Sequence, residues 1–282
     1  MSKNKNNGSR FLPKSKGIDT ATVYAPEECA LKVKRIVLQP DNRQMIEEFV
    51  TILGMKDRFA EHDVPVPNKI VMFGPPGTGK TLTAFYMAQR LELPLIIVRL
   101  DAVINSFLGE TASNVRKLFD YAKASPCVLF LDEFDAIART RENNDEVKEM
   151  SRVVNTLLQC LDEFEGGSVL MAATNLEDQL DHAVWRRFDT RMTYRMPGEA
   201  EIMAYIRLML DGFEHDAGIA GRAAELLRGV SFADMEQIFL KAKRKAIIGS
   251  APLTYRTLED AYREYQPRKQ AAALDEKVLA GT

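Results

Sequence analysis

The chain has 282 residues, 46% of them hydrophobic, with 38 basic and 40 acidic side chains and a net charge of −2. That length suits one large domain or two smaller ones, and that apolar content rules out wholesale disorder. The near-neutral balance argues against nucleic acid or an anionic membrane as the main partner.

Cys29, Cys127 and Cys160 are few, odd in number and far apart, which points to a reduced, cytoplasmic protein and not to a disulfide framework. No uncharged apolar run approaches the ~20 residues of a membrane span. His62, His182 and His215 are scattered, and neither HExxH nor a paired CxxC occurs, so a structural zinc site is not expected.

In chain order, residues 1–17 carry Lys3, Lys5, Arg10, Lys14 and Lys16 with no acidic residue. They read as a flexible basic arm, either simply solvated or in contact with a partner or nucleic acid. Arm and lead-in segment together take residues 1–39. Over 42–54, Met45, Ile46, Phe49, Val50 and Leu53 recur by threes and fours, which predicts a helix that Gly54 closes. Apolar runs at 69–73, 95–98, 127–131 and 168–173 predict four short strands buried on both faces. Between them lie two helical stripes: Val115, Leu118, Phe119 and Ala122, then Val147, Met150, Val154, Leu157, Leu158 and Leu161. Strands alternating with helices mean a doubly wound parallel α/β domain, here residues 40–197. Beyond Pro197 the strand signals stop. Ile202, Ile206, Met209 and Leu210, and then Met235, Ile238, Phe239, Ala242 and Ala246, predict a small all-helical domain over 198–270. Residues 271–282 read as a tail.

The strongest motif is GPPGTGKT at 74–81, which fits G-x-x-x-x-G-K-[ST] and falls between a predicted strand and a helix at 80–91. The glycines let backbone N–H groups turn inward as an anion nest, and the helix N-terminus adds its dipole. Lys80 would bridge the β- and γ-phosphates of a nucleoside triphosphate, and the Thr81 hydroxyl would ligate Mg²⁺. The bland alternative, a Gly-Pro turn that binds nothing, does not account for this strand–loop–helix setting. The strand at 128–131 runs into Asp132 and Glu133. Carboxylates at the carboxyl edge of a parallel sheet face the ligand crevice. Asp132 there suits Mg²⁺, held through water, and Glu133 suits the polarisation of an attacking water. The alternative is a solvated turn.

With GPPGTGKT (74–81) followed by FLDEFDAIA (130–138), the chain resembles the AAA+ ATPase superfamily, in the branch of the protein-unfolding and microtubule-severing enzymes. Three further stretches in the family's order extend the resemblance over about residues 40–265. AATN (172–175) is similar to the strand end where an Asn positions the attacking water, which implies that role for Asn175. LDHAVWRRFD (180–189) is similar to the arginine-finger segment, which implies that Arg186 and Arg187 reach the γ-phosphate bound by a neighbouring subunit. GVSFADM (229–235) is similar to the small-domain motif near the adenine. The resemblance thus implies a nucleotide site built from Pro75, Pro76, Gly77, Thr78, Gly79, Lys80, Thr81, Leu82 and Ala233. It also implies that Phe107 and Leu108 grip an extended polypeptide in a central pore, with a polar stretch at 141–149 nearby. The plainer readings are surface arginines paired with Asp181 or Asp189, a helix-capping Asn175, a core Phe107 and a solvated polar loop.

Two departures stand out. The Gly-Gly often seen ahead of the first helix is replaced by residues 36–40, which leaves the adenine contacts unassigned, and Trp185 stands where severing enzymes often carry a third arginine. With no recognisable substrate domain or HExxH, substrate recruitment is expected to fall to the first 40 residues, the surface or a separate chain. The implied function is Mg²⁺-dependent ATP hydrolysis, with ATP held between the α/β domain and a helical lid. It would drive remodelling or unfolding of a protein substrate by a homo-oligomer of six. The alternatives are a DNA-associated loader or transposition regulator, which the basic arm favours, and an ATPase regulator of a separate protease or effector. A nucleotide-switched scaffold is disfavoured by the intact Lys80, Asp132, Glu133 and Asn175.

Overall fold

The structure, a computed structural model, describes residues 21–105, 111–136, 146–175 and 182–265. The chain divides into two compact units. Among the described residues, the first takes 21–34, 40–75 and 80–194, and the second takes 35–39, 76–79 and 195–265.

The first unit is a mixed α/β layer structure. Its elements are β1 (Ala21–Tyr24), α1 (Pro26–Lys32), α2 (Pro40–Gly54), α3 (Lys56–Ala60), β2 (Lys69–Phe73), α4 (Lys80–Leu91) and β3 (Leu95–Arg99). Next come α5 (Leu100–Asn105), α6 (Thr111–Ala124), β4 (Val128–Asp132), α7 (Glu146–Asp162), β5 (Val169–Thr174), α8 (His182–Trp185) and β6 (Thr190–Thr193). The six strands lie in the order β1-β3-β4-β5-β2-β6, parallel throughout except for β1, which pairs antiparallel to β3.

The apolar runs of the inner strands supply both faces of this sheet. Val71, Phe73, Ile96, Val98, Leu129, Leu131, Leu170 and Ala172 share one core with Val115, Leu118, Phe119 and Ala122 of α6 and Leu157 and Leu161 of α7. The alternate residues Ile70, Met72, Leu95, Val128, Phe130, Val169 and Met171 are equally buried. Helix α4 packs against β3, β4 and β5, and α1 and α2 pack on α4. Two covered faces are what make continuous apolar runs readable as parallel strands.

Three details depart from the sequence-based expectation. The sheet has six strands where four apolar runs were expected. β1 and β6 are edge strands of four residues with at most one buried side chain each, Met192 in β6, so neither shows a continuous run. Residues 21–32, expected to belong to the arm and lead-in segment, form β1 and α1. In α2 the buried residues are Asn42, Ile46 and Phe49, while Met45 is 39% exposed; the packed stripe is narrower than the apolar one.

The second unit is helical among its described residues. α9 (Glu199–Leu210), α10 (Ile219–Leu226), α11 (Phe232–Ile248) and a last helix, α12, over residues 255–265 enclose a core. That core includes Ile202, Ile206, Met209, Met235, Ile238, Phe239, Ala242 and Leu258. Both predicted apolar stripes point into it.

Candidate active site

Strand order decides which residues meet. Because β5 lies between β4 and β2, the carboxyl ends of these three strands are neighbours, with Phe73 in register with Thr174 and Leu131 with Ala172. The residues just past each strand therefore converge on one edge: the loop at 74–79 after β2, Glu133 after β4 and Asn175 after β5. Ligands of open α/β sheets bind at this edge.

The loop begins at Gly74, whose φ of 139° is open to glycine and strained for other residues. A β-carbon there would lie 2.1 Å from the carbonyl oxygen of Tyr194, so Gly74 is required by close packing as well as by conformation. Pro75 and Pro76 are exposed, Thr78 is buried, and Leu82 is half-buried in the first turn of α4.

Lys80 is 8% exposed. Its ammonium donates to the carbonyls of Gly74 (2.6 Å) and Pro75 (2.9 Å) and to Oδ1 of Asn175 (2.8 Å). Beside it the Thr81 hydroxyl donates to Oδ2 of Asp132 at 3.3 Å. Sequence-distant residues expected to act together thus do meet here: Lys80 with Asn175, and Thr81 with Asp132. The donor set fits Mg²⁺, which takes oxygen ligands and is commonly held by one or two carboxylates together with substrate phosphates. Among the described residues no group of three or more His, Cys, Asp or Glu side chains could form a dedicated metal cage.

Burial pulls the Lys80 ammonium down to about 8, against the opposing pull of the Asp132 and Asp135 charges. The nucleotide-free chain therefore loses this proton as pH rises through about 8. Its stability should rise between there and the ordinary lysine range, where the unfolded chain holds the extra proton. Polyphosphate would restore the charge. Nucleotide binding at pH 8.5 is expected to take up a substantial fraction of a proton and at pH 7 close to none from this group. Titration calorimetry in two buffers of different ionisation enthalpy measures the uptake. Identical heats at pH 8.5 would refute it.

Glu133 has a φ of 54°, a left-handed conformation uncommon for a residue with a side chain. Its backbone N–H donates to Oδ1 of Asp132 at 3.0 Å, and the next N–H, of Phe134, donates to the carbonyl of Ala173 at 2.9 Å. This bend turns the Glu133 carboxylate toward Arg99, at 3.4 Å, while Arg99 also reaches Asp101 at 2.8 Å. The Glu133 carboxyl is raised, first by its hydrogen bond with Asp101, then by burial and by the Asp101 charge. Burial acts to raise Asp101 as well, but its hydrogen bonds with Arg99 and Glu133 prevail and hold it low.

Arg99 and Asp101 were not read from the sequence as site residues. Arg99 stands in register with Asp132, and only strand order reveals that. Asp135 was also missed. It is 4% exposed and accepts from the Thr174 hydroxyl at 3.3 Å, and its one sequence signal is its place within FLDEFDAIA.

Other candidates lie elsewhere. Arg186 is exposed in the turn after α8. Arg187 forks onto Asp162 of α7, Nε to Oδ1 at 2.8 Å and Nη2 to Oδ2 at 2.9 Å, while Asp181 lies outside the described residues. Trp185 packs edge-on against Phe73 and accepts Arg191 over its ring, so in this chain the position serves the core. In the second unit, exposed Ala233 donates its N–H to the carbonyl of Gly77 at 3.2 Å. Phe107 and Leu108 lie outside the described residues, as do 141–145 of the polar stretch; residues 146–149 open α7.

A glycine-rich loop between strand and helix, a buried lysine behind it and an aspartate on a nearby parallel strand define a nucleoside triphosphatase of the P-loop class. The family model described as "ATPase family associated with various cellular activities (AAA)" matches residues 70–196. A protein named uncharacterized AAA family ATPase y4kL, from Sinorhizobium fredii, is 42% identical over 213 residues, 76% of this chain and 64% of that protein. ATP-dependent zinc metalloprotease FtsH 3 of Sphaerobacter thermophilus is 32% identical over 260 residues, 89% of this chain and 52% of its own length. The ATP-dependent zinc metalloprotease YME1 homolog of Caenorhabditis elegans is 31% identical over 232 residues, 80% of this chain and 32% of its own length. The chain thus spans between 32% and 64% of the length of these relatives. Through its ATPase domain at residues 70–196 the chain belongs to the AAA+ ATPase superfamily. Among the described residues, no helix is long and apolar enough to cross a membrane.

Proposed function

We propose that this ATPase uses Mg²⁺-dependent ATP hydrolysis to remodel or unfold a protein substrate, acting as a homo-oligomer of six. The observation that carries the hydrolytic half is the convergence of Lys80, Asn175, Thr81 and Asp132 at one sheet edge, within 3.3 Å of their partners. The remodelling half is supported by relatives named as ATP-dependent zinc metalloproteases and by the aromatic Phe107, four residues ahead of α6 in the sequence.

In this reading Lys80 exchanges its carbonyl partners for phosphate oxygens, and Thr81 and Asp132 hold Mg²⁺, which neutralises phosphate charge when bound. Asn175 orients the attacking water and Glu133 accepts its proton. Glu133 must first leave Arg99 and Asp101. Arg186 and Arg187 complete the site of the neighbouring subunit, and Phe107 and Leu108 hold the polypeptide. The backbone of the 75–79 loop, with Leu82 and Ala233, supports the nucleotide.

The deciding experiment is the solution mass of the Glu133→Gln variant with ATP and Mg²⁺ and without nucleotide. A shift from monomer to about six subunits on adding ATP is expected, because ligand binding to an assembly favours that assembly. A chain that binds ATP and stays monomeric would overturn the oligomeric half of the proposal.

A further inference from the structure

The start of α11 holds a network that the hydrolytic chemistry does not use. Ser231 caps this helix: its Oγ accepts the N–H of Asp234 at 3.2 Å and donates to Oδ2 of the same residue at 2.8 Å. The other carboxylate oxygen, Oδ1, accepts the phenol of Tyr265 at the end of α12. On its far side, buried Ser231 faces the phosphate loop. A β-carbon on Gly77 would lie 2.6 Å from the Ser231 Oγ and 3.0 Å from its β-carbon. Gly77 itself has a φ of 74°, and its carbonyl accepts the N–H of Ala233. All these residues belong to the second unit, which includes Pro76–Gly79.

We propose that Tyr265 is a positioning residue for ATP binding, acting through Asp234 and Ser231 to hold the Gly77 backbone in its loop conformation. A left-handed glycine is a deformable point of the loop, and its freedom must be restricted for its neighbours' N–H groups to converge on a phosphate. Ser231 limits Gly77 by contact and Ala233 by a hydrogen bond. Asp234 fixes the Ser231 rotamer through Oδ2, and Tyr265 fixes the Asp234 carboxylate through Oδ1. The phenol titrates at about 12, raised first by its hydrogen bond to Asp234, so its proton stays in place at physiological pH. Tyr265 also packs on the core of the second unit, so its ring is anchored independently of its hydroxyl.

The proposal rests on residues 74–81 being the phosphate loop, and the test separates the two. Steady-state ATPase kinetics and nucleotide affinity are measured for the full chain as wild type, Tyr265→Phe, Ser231→Ala, Ser231→Thr and Lys80→Ala. Tyr265→Phe removes one donor and keeps the ring. It should raise KM for ATP about 3- to 10-fold, the range of a charge-assisted hydrogen bond acting at second hand, with kcat within about twofold. Ser231→Ala should do the same, Ser231→Thr should restore binding, and Tyr265→Phe combined with Ser231→Ala should be no worse than the poorer single change. The melting temperature of the nucleotide-free variants reads any purely structural loss. Wild-type KM in both Tyr265→Phe and Ser231→Ala, alongside lost binding in Lys80→Ala, would overturn this inference alone. Normal binding by Lys80→Ala would overturn the loop assignment beneath it.

Discussion

Replacing Glu133 by Gln is expected to lower ATP turnover by about 10²–10⁴-fold, the range lost with a positioned general base, while ATP still binds. Glutamine keeps the size and hydrogen-bonding reach of the side chain but cannot take a proton from water. The groups that grip phosphate, Lys80 and the 74–79 backbone, are untouched by the change. Glu133 is already set apart from an ordinary turn residue: its φ is 54°, and its carboxylate is gathered with Arg99 and Asp101. Removing a charge from that cluster should change folding stability little, since the Arg99 pair is largely exposed. Phosphate release at saturating ATP, with a melting curve as control, measures the effect. Turnover within a few-fold of wild type would remove Glu133 from the mechanism.

Arg186→Ala is expected to cost about 10³-fold or more in turnover, the scale of an arginine supplied in trans, with nucleotide affinity nearly unchanged. The larger loss is assigned to Arg186 because it is exposed, whereas Arg187 is held in a two-pronged pair with Asp162. The proposed action in trans would leave a specific signature. An Arg186→Ala subunit keeps an intact Glu133, and a Glu133→Gln subunit keeps an intact Arg186. Mixing the two inactive chains should therefore recover part of the activity, at interfaces where an intact Glu133 faces an intact Arg186. Normal turnover by Arg186→Ala, or no recovery in any mixture while both variants still assemble, would place the arginine outside the catalytic arrangement.

The inner strands were legible because burial on both faces leaves little room for polar residues. The runs predicted at 69–73, 95–98, 127–131 and 168–173 lie within one residue of β2, β3, β4 and β5 at each end. α4 was legible from the loop motif that starts it, and α6 from a stripe of four side chains that are all buried. The edge strands β1 and β6 were not. A strand with a single sheet neighbour gains its order from backbone pairing with β3 or β2, and that pairing leaves no trace in side-chain hydropathy.

The sequence by itself determined the chemical identity of the site: a glycine loop, a lysine and hydroxyl at a helix start, and carboxylates at a strand end, with spacings that point to phosphate and Mg²⁺. Those residues are local, and their motif constrains the backbone that carries them. The tertiary structure alone decided which distant groups share the site. Asn175 reaches Lys80 because β5 lies next to β2, Arg99 and Asp101 reach Glu133 because β3 lies next to β4, and Tyr265 reaches Asp234 because α12 ends beside the start of α11. Each of these meetings depends on the order and packing of whole elements, set by the summed burial of a core and not by any single stretch of residues.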